Sequence, residues 1–203
     1  MEAQVGVAVG KGTPRVRQGR LTTIIVMAVT AAIIMAVAFA VNQPRSTAGG
    51  VTPVDLTGDA SGAAPEVGQP APDFVATTVD GATIRLSGLK GHPVWLTFGA
   101  SWCQPCRAEN PDIQATVAKH AGSDLVVVAV FISEDAPAVK DYADRVGLTY
   151  QKVADPDTTV ASEYRIVGIP SHFFIDKDGV LRLMKIGSLD PAAMDAALKP
   201  ILK

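Results

Sequence analysis

The chain has 203 residues, 18 Lys+Arg against 20 Asp+Glu, a formal net charge of −2 and only two cysteines. That length holds one domain with additions. The charge balance leaves no basic patch of the kind nucleic-acid binding needs, and two cysteines with three scattered histidines give no second ligand pair for structural zinc.

Residues 1–20 carry Lys11, Arg15, Arg17 and Arg20 against the single acid Glu2. The next segment, 21–41, is uncharged and mostly apolar; as a helix it extends about 31 Å, close to a bilayer's hydrocarbon thickness. The positive-inside rule then keeps residues 1–20 in the cytoplasm and sends the rest out. The expectation is a single-pass cell-membrane protein with an extracytoplasmic domain. Ala38-Phe39-Ala40 also forms a passable signal-peptidase site, so a cleaved signal peptide is the rival; both readings export the domain, and the length of the apolar run favours the anchor. Residues 42–66, rich in Ala, Gly, Pro, Ser and Thr, read as a flexible linker.

Residues 67–203 alternate strands and helices. Thr83–Leu86 and Val94–Phe98 read as strands, and Leu125–Ile132 is a continuous apolar run of the kind covered on both faces. Ala136–Val146 reads as a helix, Tyr150–Val153 as a short strand and Thr158–Tyr164 as a short helix. His172–Ile175 and Val180–Ile186 form a hairpin around Lys177-Asp178-Gly179. Pro191–Ile201 closes as a helix with Asp190 as N-cap. The expected fold class is α/β, a central mixed sheet with helices on both faces.

Trp102-Cys103-Gln104-Pro105-Cys106 contains both thiols. Residues three apart on a helix lie about 5–6 Å apart at Cβ, near what a disulfide requires. A ring this small removes almost no chain entropy, so thiol–disulfide cycling explains the pair better than stapling does. Ser101 and Gln104 have capping-box spacing, which starts a helix at Trp102; Pro105 prefers the first helical position and starts it later. Either register puts Cys103 at the helix N-terminus, where orphan N–H groups and the helix dipole favour a thiolate. Cys103 is the expected exposed nucleophile and Cys106 the resolving thiol. Pro111 falls inside the helix and is expected to kink it.

Strand, turn, W-C-x-P-C and a helix with a proline eight residues after the first cysteine resemble the thioredoxin superfamily. Gly168-Ile169-Pro170-Ser171, His172–Asp176 and Lys177-Asp178-Gly179 resemble its cis-proline loop, strand and hairpin. Val67–Phe74, Asp80-Gly81 and Leu86–Gly91 resemble the opening β-hairpin of TlpA/ResA-like membrane-anchored thiol–disulfide oxidoreductases, a redoxin or AhpC-TSA-like domain that peroxiredoxins share. The resemblance implies a thioredoxin-like three-layer α/β/α domain over 67–203 and a cis Ile169–Pro170 bond facing Cys103. It implies protein thiol or disulfide substrates docked by Trp102, Ile169 and Pro170. It also implies a membrane thiol electron donor or acceptor, no cofactor, and a reductase whose substrates include the haem-attachment cysteines of apocytochrome c. An exported dithiol oxidase using the same pair is the alternative.

Glu109 lies three residues after Cys106 on the same helix face, and TlpA/ResA-like proteins carry a Glu at this spacing; it reads as a proton shuttle for Cys106 or as an ordinary solvated helix residue. Thr97 stands where cytoplasmic thioredoxins carry a buried Asp, which removes that base. Ser171 reads as a strand-edge hydroxyl, His172 as a core or edge histidine, and Tyr164 as core. Leu96 and Ala100 occupy the Pro and Thr places of the peroxiredoxin P-x-x-x-T-x-x-C pattern, so that site is absent. A Sco-like copper chaperone is a rival of a different class, but those proteins carry C-x-x-x-C.

Overall fold

The computed structural model describes residues 18–42 and 50–203, which fall into two units. The first contains the helix α1, Gln18–Asn42. Between Ile24 and Met35, eight apolar side chains are more than half exposed, including the consecutive run Ile24–Met27. Thr23 and Thr30 donate their hydroxyls back to the Gly19 and Val26 carbonyls. Among the described residues no helix is long and apolar enough to cross a membrane, so the span expected at 21–41 rests on the sequence alone. The basic residues of 1–17 lie outside the described residues.

The second unit runs β1 (Thr52–Pro53), β2 (Val75–Thr77), β3 (Thr83–Arg85), β4 (Val94–Gly99), α2 (Gln104–Lys119), β5 (Val126–Ile132) and α3 (Ala136–Val146). It continues with β6 (Gln151–Asp155), α4 (Thr159–Glu163), β7 (Gly168–Ile169), β8 (Ser171–Ile175), β9 (Leu181–Ile186) and α5 (Pro191–Leu198). The main sheet has the order β6-β5-β4-β8-β9. β4, β5 and β6 are parallel, and β8 and β9 run against them. This is the mixed sheet of a thioredoxin-like fold.

Alternation along β4 sorts the core into two layers. Leu96 and Phe98 face one side with Val128, Val130, Phe173 and Tyr164. Trp95 faces the other with Val127, Phe131, Phe174, Ile113 of α2, Val139 of α3 and Met194 of α5. Both faces are covered, which is why β4 and β5 read as unbroken apolar runs. Each large side chain sealed between layers contributes about 1.5–3 kcal/mol of burial. The helix ends follow local chemistry. Asp135 and Asp190 accept the Ala138 and Ala193 N–H groups, and Gly147 ends α3 at φ 72, a left-handed backbone that glycine adopts without a Cβ penalty.

Residues 50–66 depart from the flexible linker expected over 42–66. Burial alternates from residue 51 to 60, and Val54 and Leu56 pack on the core. The Thr57 and Gly58 N–H groups donate to Thr158 Oγ1 at 2.8 and 3.1 Å. Ser61 and Gly62 donate to the Glu163 carboxylate. Composition suggested a tether; side chains spaced two apart make half of it a strap on the domain.

Candidate active site

β4 ends at Gly99, and the chain turns through Ala100, Ser101 and Trp102 into α2. Cys103 is the N-cap: its sulfur accepts the Cys106 N–H at 3.2 Å. Gln104 and Pro105 follow in the first turn, where proline has no N–H to leave unpaired. The helix therefore starts two residues later than the capping-box register and one earlier than the proline register, with Pro105 at its second position. Ser101 is engaged elsewhere. Its N–H donates to Glu134 Oε2 at 2.6 Å and its hydroxyl to Glu134 Oε1. Glu134 was not readable as a site residue, because only the parallel pairing of β4 with β5, ending at Gly99↔Phe131, brings the two strand ends together. α2 runs on through Pro111, which sits on its exposed side.

Cys103 and Cys106 form a disulfide with Cα atoms 5.3 Å apart. The exposed nucleophile expected at Cys103 is not exposed: the residue is 1% accessible and Cys106 3%. Both sit in a buried core cluster with Phe98, Ala100 and Ile169. The Ile169–Pro170 peptide is cis, and the Ile169 carbonyl lies 4.0 Å from Cys103 Sγ. β1 pairs with β7, Thr52 opposite Ile169. Gly50 comes so close to Pro105 that a Cβ there would stand 3.0 Å from Pro105 Cγ. Trp102 is 48% exposed beside the pair, whereas Ile169 is fully buried.

Behind the disulfide, Cys106, Glu109, Thr97 and Pro170 line one small cavity of about 10 Å³. Glu109 is 3% exposed, so it is not a solvated helix residue. Its Oε1 accepts the Leu189 N–H at 2.8 Å and lies 3.3 Å from His172 Nε2. His172 is fully buried, a core histidine as expected, but it also meets the site. It stands opposite Thr97 in the β4–β8 register, with Nδ1 3.0 Å from the Thr97 hydroxyl and 3.4 Å from Trp95 Nε1. An indole N–H can only donate. Nδ1 is therefore the acceptor, and the neutral ring carries its hydrogen on Nε2, which has no hydrogen-bond partner among the described residues.

Burial keeps both groups uncharged. Loss of solvent pushes the Glu109 carboxyl up to about 8 against the opposing Leu189 N–H, with Asp112 adding repulsion. Loss of solvent pushes His172 down to about 3 against the Gly187 backbone. At neutral pH the two meet as carboxylic acid and neutral imidazole rather than as an ion pair. Oε1 is already an acceptor, and Oε2 has no hydrogen-bond partner among the described residues, so Oε2 is the atom free to hold or exchange a proton. Tyr150, pushed far up by burial with Glu109 contributing, stays a neutral phenol nearby. No group of three or more His, Cys, Asp or Glu side chains among the described residues is placed to hold a metal ion.

Residues 67–184 match the AhpC/TSA family. The chain belongs to that family. It is 32% identical over 136 residues to the thiol-disulfide oxidoreductase ResA of Bacillus anthracis, covering 67% of this chain and 79% of that protein. It is 33% identical over 135 residues to ResA of Geobacillus kaustophilus, covering 66% and 78%. A solved thiol:disulfide interchange protein of the thioredoxin family from Chlorobium tepidum superposes with a TM-score of 0.61 at 30% identity, covering 69% of this chain and all of that one. Within the AhpC/TSA family, the Cys103–Cys106 pair makes this chain a thiol–disulfide oxidoreductase of ResA type.

The buried pair sets a pH dependence of stability for this AhpC/TSA protein. Between 4.5 and about 8 the folded state holds a proton on Glu109 that the unfolded chain has lost, so stability falls as pH rises. Between about 3 and 6.5 the unfolded chain holds a proton on His172 that the folded state lacks, so stability falls as pH drops. The two slopes cancel between 4.5 and 6.5, leaving a net loss from 6.5 upward to about 8. Urea unfolding of the disulfide form across that window is expected to show the loss in wild type and to show it abolished in Glu109→Gln. Parallel curves for the two proteins would mean that Glu109 is ionised in the fold.

Proposed function

We propose that this protein is a membrane-anchored thiol–disulfide oxidoreductase that reduces protein disulfides outside the cytoplasm. Cys103 is the nucleophile and Cys106 the resolving thiol. The observation that carries the reading is the Cys103–Cys106 disulfide at the start of α2, 4.0 Å from the carbonyl of the cis-proline loop. Helix-start N–H groups favour a thiolate at the N-cap. The Cys103 thiolate attacks one sulfur of a substrate disulfide; the mixed disulfide forms, the substrate bond breaks, and the displaced sulfur takes up a proton. In the minor ionised fraction that a carboxyl at about 8 keeps near neutral pH, Glu109 then takes the Cys106 proton, and the Cys106 thiolate attacks Cys103 Sγ. The intramolecular disulfide forms and the second substrate sulfur leaves, to be protonated in turn. Two electrons pass to the substrate. A carboxyl at about 8 is matched to a thiol near roughly 8.5, so the proton moves between them at little cost.

Direction and place rest on separate supports. Cys106, buried beside Glu109, gains nothing as an anion, and a resolving thiol without such stabilisation favours the disulfide and hence a reducing potential. The exported compartment is disulfide-permissive, so a reductant there draws electrons from a membrane thiol donor. The four basic residues before the apolar stretch 21–41 support the export, and the uncharged length of that stretch supports a membrane anchor. The resemblance to TlpA/ResA-like proteins makes the haem-attachment cysteines of apocytochrome c the first substrate to test.

In cells, Cys106→Ser is expected to accumulate mixed disulfides through Cys103 that mass spectrometry identifies; a folded variant that traps nothing rejects the reading. In stopped-flow, Glu109→Gln is expected to slow resolution on the order of tenfold, the low end for general-base help, with the initial attack unchanged. Equal resolution rates would remove Glu109 from the mechanism. A reporter fused after Lys203 is expected to be active only outside the cytoplasm, and cytoplasmic activity would reverse the topology.

A further inference from the structure

The chain's own strap lies against both segments that frame the disulfide, the cysteine motif and the cis-proline loop. β1 pairs antiparallel with β7, Thr52 opposite Ile169 and Pro53 opposite Gly168. That puts a strand on the backbone immediately before Pro170, the edge at which an extended substrate would pair. On its other side the strap meets the cysteine motif, with Gly50 against the Pro105 ring. The seat is shaped for it. A Cβ on Gly168 would fall 2.4 Å from Val51 Cγ1 and 3.4 Å from the Thr52 carbonyl, so the missing side chain at 168 is a notch that Val51 fills. Farther along, Thr158 and Glu163 hold residues 57–62 by hydrogen bonds.

We infer that residues 50–53 are an internal occupant of the substrate-docking edge, seated by the Gly168 notch, and that a protein substrate reaches Cys103 only by displacing them. The inference rests on the proposed oxidoreductase reading and adds regulation of the same site. Two features separate a removable cover from a permanent part of the wall. Val51 is 45% exposed although its methyl sits in the notch. The pairing is only two residues long, where a strand in the main sheet pairs over five or more. A substrate strand makes the same backbone bonds to Gly168 and Ile169 and so competes on equal terms. The strap gives way to segments that present a small apolar side chain over Gly168 and excludes bulky or charged ones.

The test uses the full chain, reduced and held in detergent. Val51→Asp places a charge over the notch without disturbing the core. Gly168→Ala fills the notch from the opposite side. Iodoacetamide labelling of Cys103, timed by mass spectrometry, is expected to speed up on the order of tenfold in both, the scale of releasing one or two backbone hydrogen bonds. For Val51→Asp, KM for a disulfide-bonded peptide is expected to fall by a similar factor while kcat holds, because the strap competes with binding and takes no part in the chemistry. Unchanged labelling in both variants overturns the inference. Failure of every variant and of wild type to reduce any disulfide would reject the oxidoreductase reading, while the labelling rates would still decide the strap.

Discussion

The antiparallel pairing of β4 with β8 is the constraint on which the site depends. It sets Thr97 opposite His172 and Phe98 opposite Ser171. The turn leaving β4 and the loop entering β8 therefore emerge at one end of the sheet. The first carries Cys103 and the second Ile169 and Pro170, and the Ile169 carbonyl ends 4.0 Å from Cys103 Sγ. The same register places His172 under α2, where Glu109 reaches it. A slip by one residue would send His172 to the opposite layer and Phe173 toward the helix. Both core layers oppose that slip, because Phe98 and Tyr164 enclose Phe173 on one side and Trp95 stacks on Phe174 on the other.

That register also decides the proton chemistry. A thioredoxin-like site without an acid at position 97 needs another proton acceptor for the deeper thiol. Here Thr97 instead helps fix the His172 ring, and Trp95 fixes its tautomer. His172 Nε2 lies 3.3 Å from Oε1 of Glu109 with no hydrogen-bond partner among the described residues, and the Leu189 N–H donates to that oxygen. One carboxyl oxygen is thus occupied, and the other is left unpartnered in the residue that shares a small cavity with Cys106. Desolvation of the acid, which costs stability above pH 6.5, is what brings its proton affinity close to that of a thiol. The pair thus holds strongly perturbed proton affinities at a cost in folding stability, a pattern common at reactive sites.

The parts legible in the sequence were those encoded locally. The apolar runs of β4 and β5, the proline in the first turn of α2, and the aspartate caps of α3 and α5 all follow from short-range patterns. The cis bond at Ile169–Pro170 followed from two motifs far apart in the chain and not from either alone. The Glu109–His172 meeting was not legible, because it requires both the β4–β8 register and the knowledge of which face of β8 lies under α2. Glu134 escaped for the same reason, as its tie to Ser101 depends on neighbouring strand ends. The strap was missed for a different one. Ala, Gly, Pro, Ser and Thr dominate 42–66, and composition outweighed the Val54–Leu56 spacing of two that marks an extended segment with one buried face.

The strap changes what the buried disulfide means. Cys103 and Cys106 sit in the buried core cluster, and burial by core side chains alone would leave the thiol inert. On the docking edge the strap is a short segment held at its distal end by Thr158 and Glu163, and its contact with the site consists of backbone pairing, a methyl in a glycine notch and a glycine against a proline ring. All three are contacts that a substrate strand reproduces. Access to the nucleophile is then a competition between an intramolecular segment at high effective concentration and an external one that must bring better contacts. A small apolar residue over Gly168 is the contact that the substrate has to match, so the residue that seats the cover also sets the selectivity of the edge beneath it.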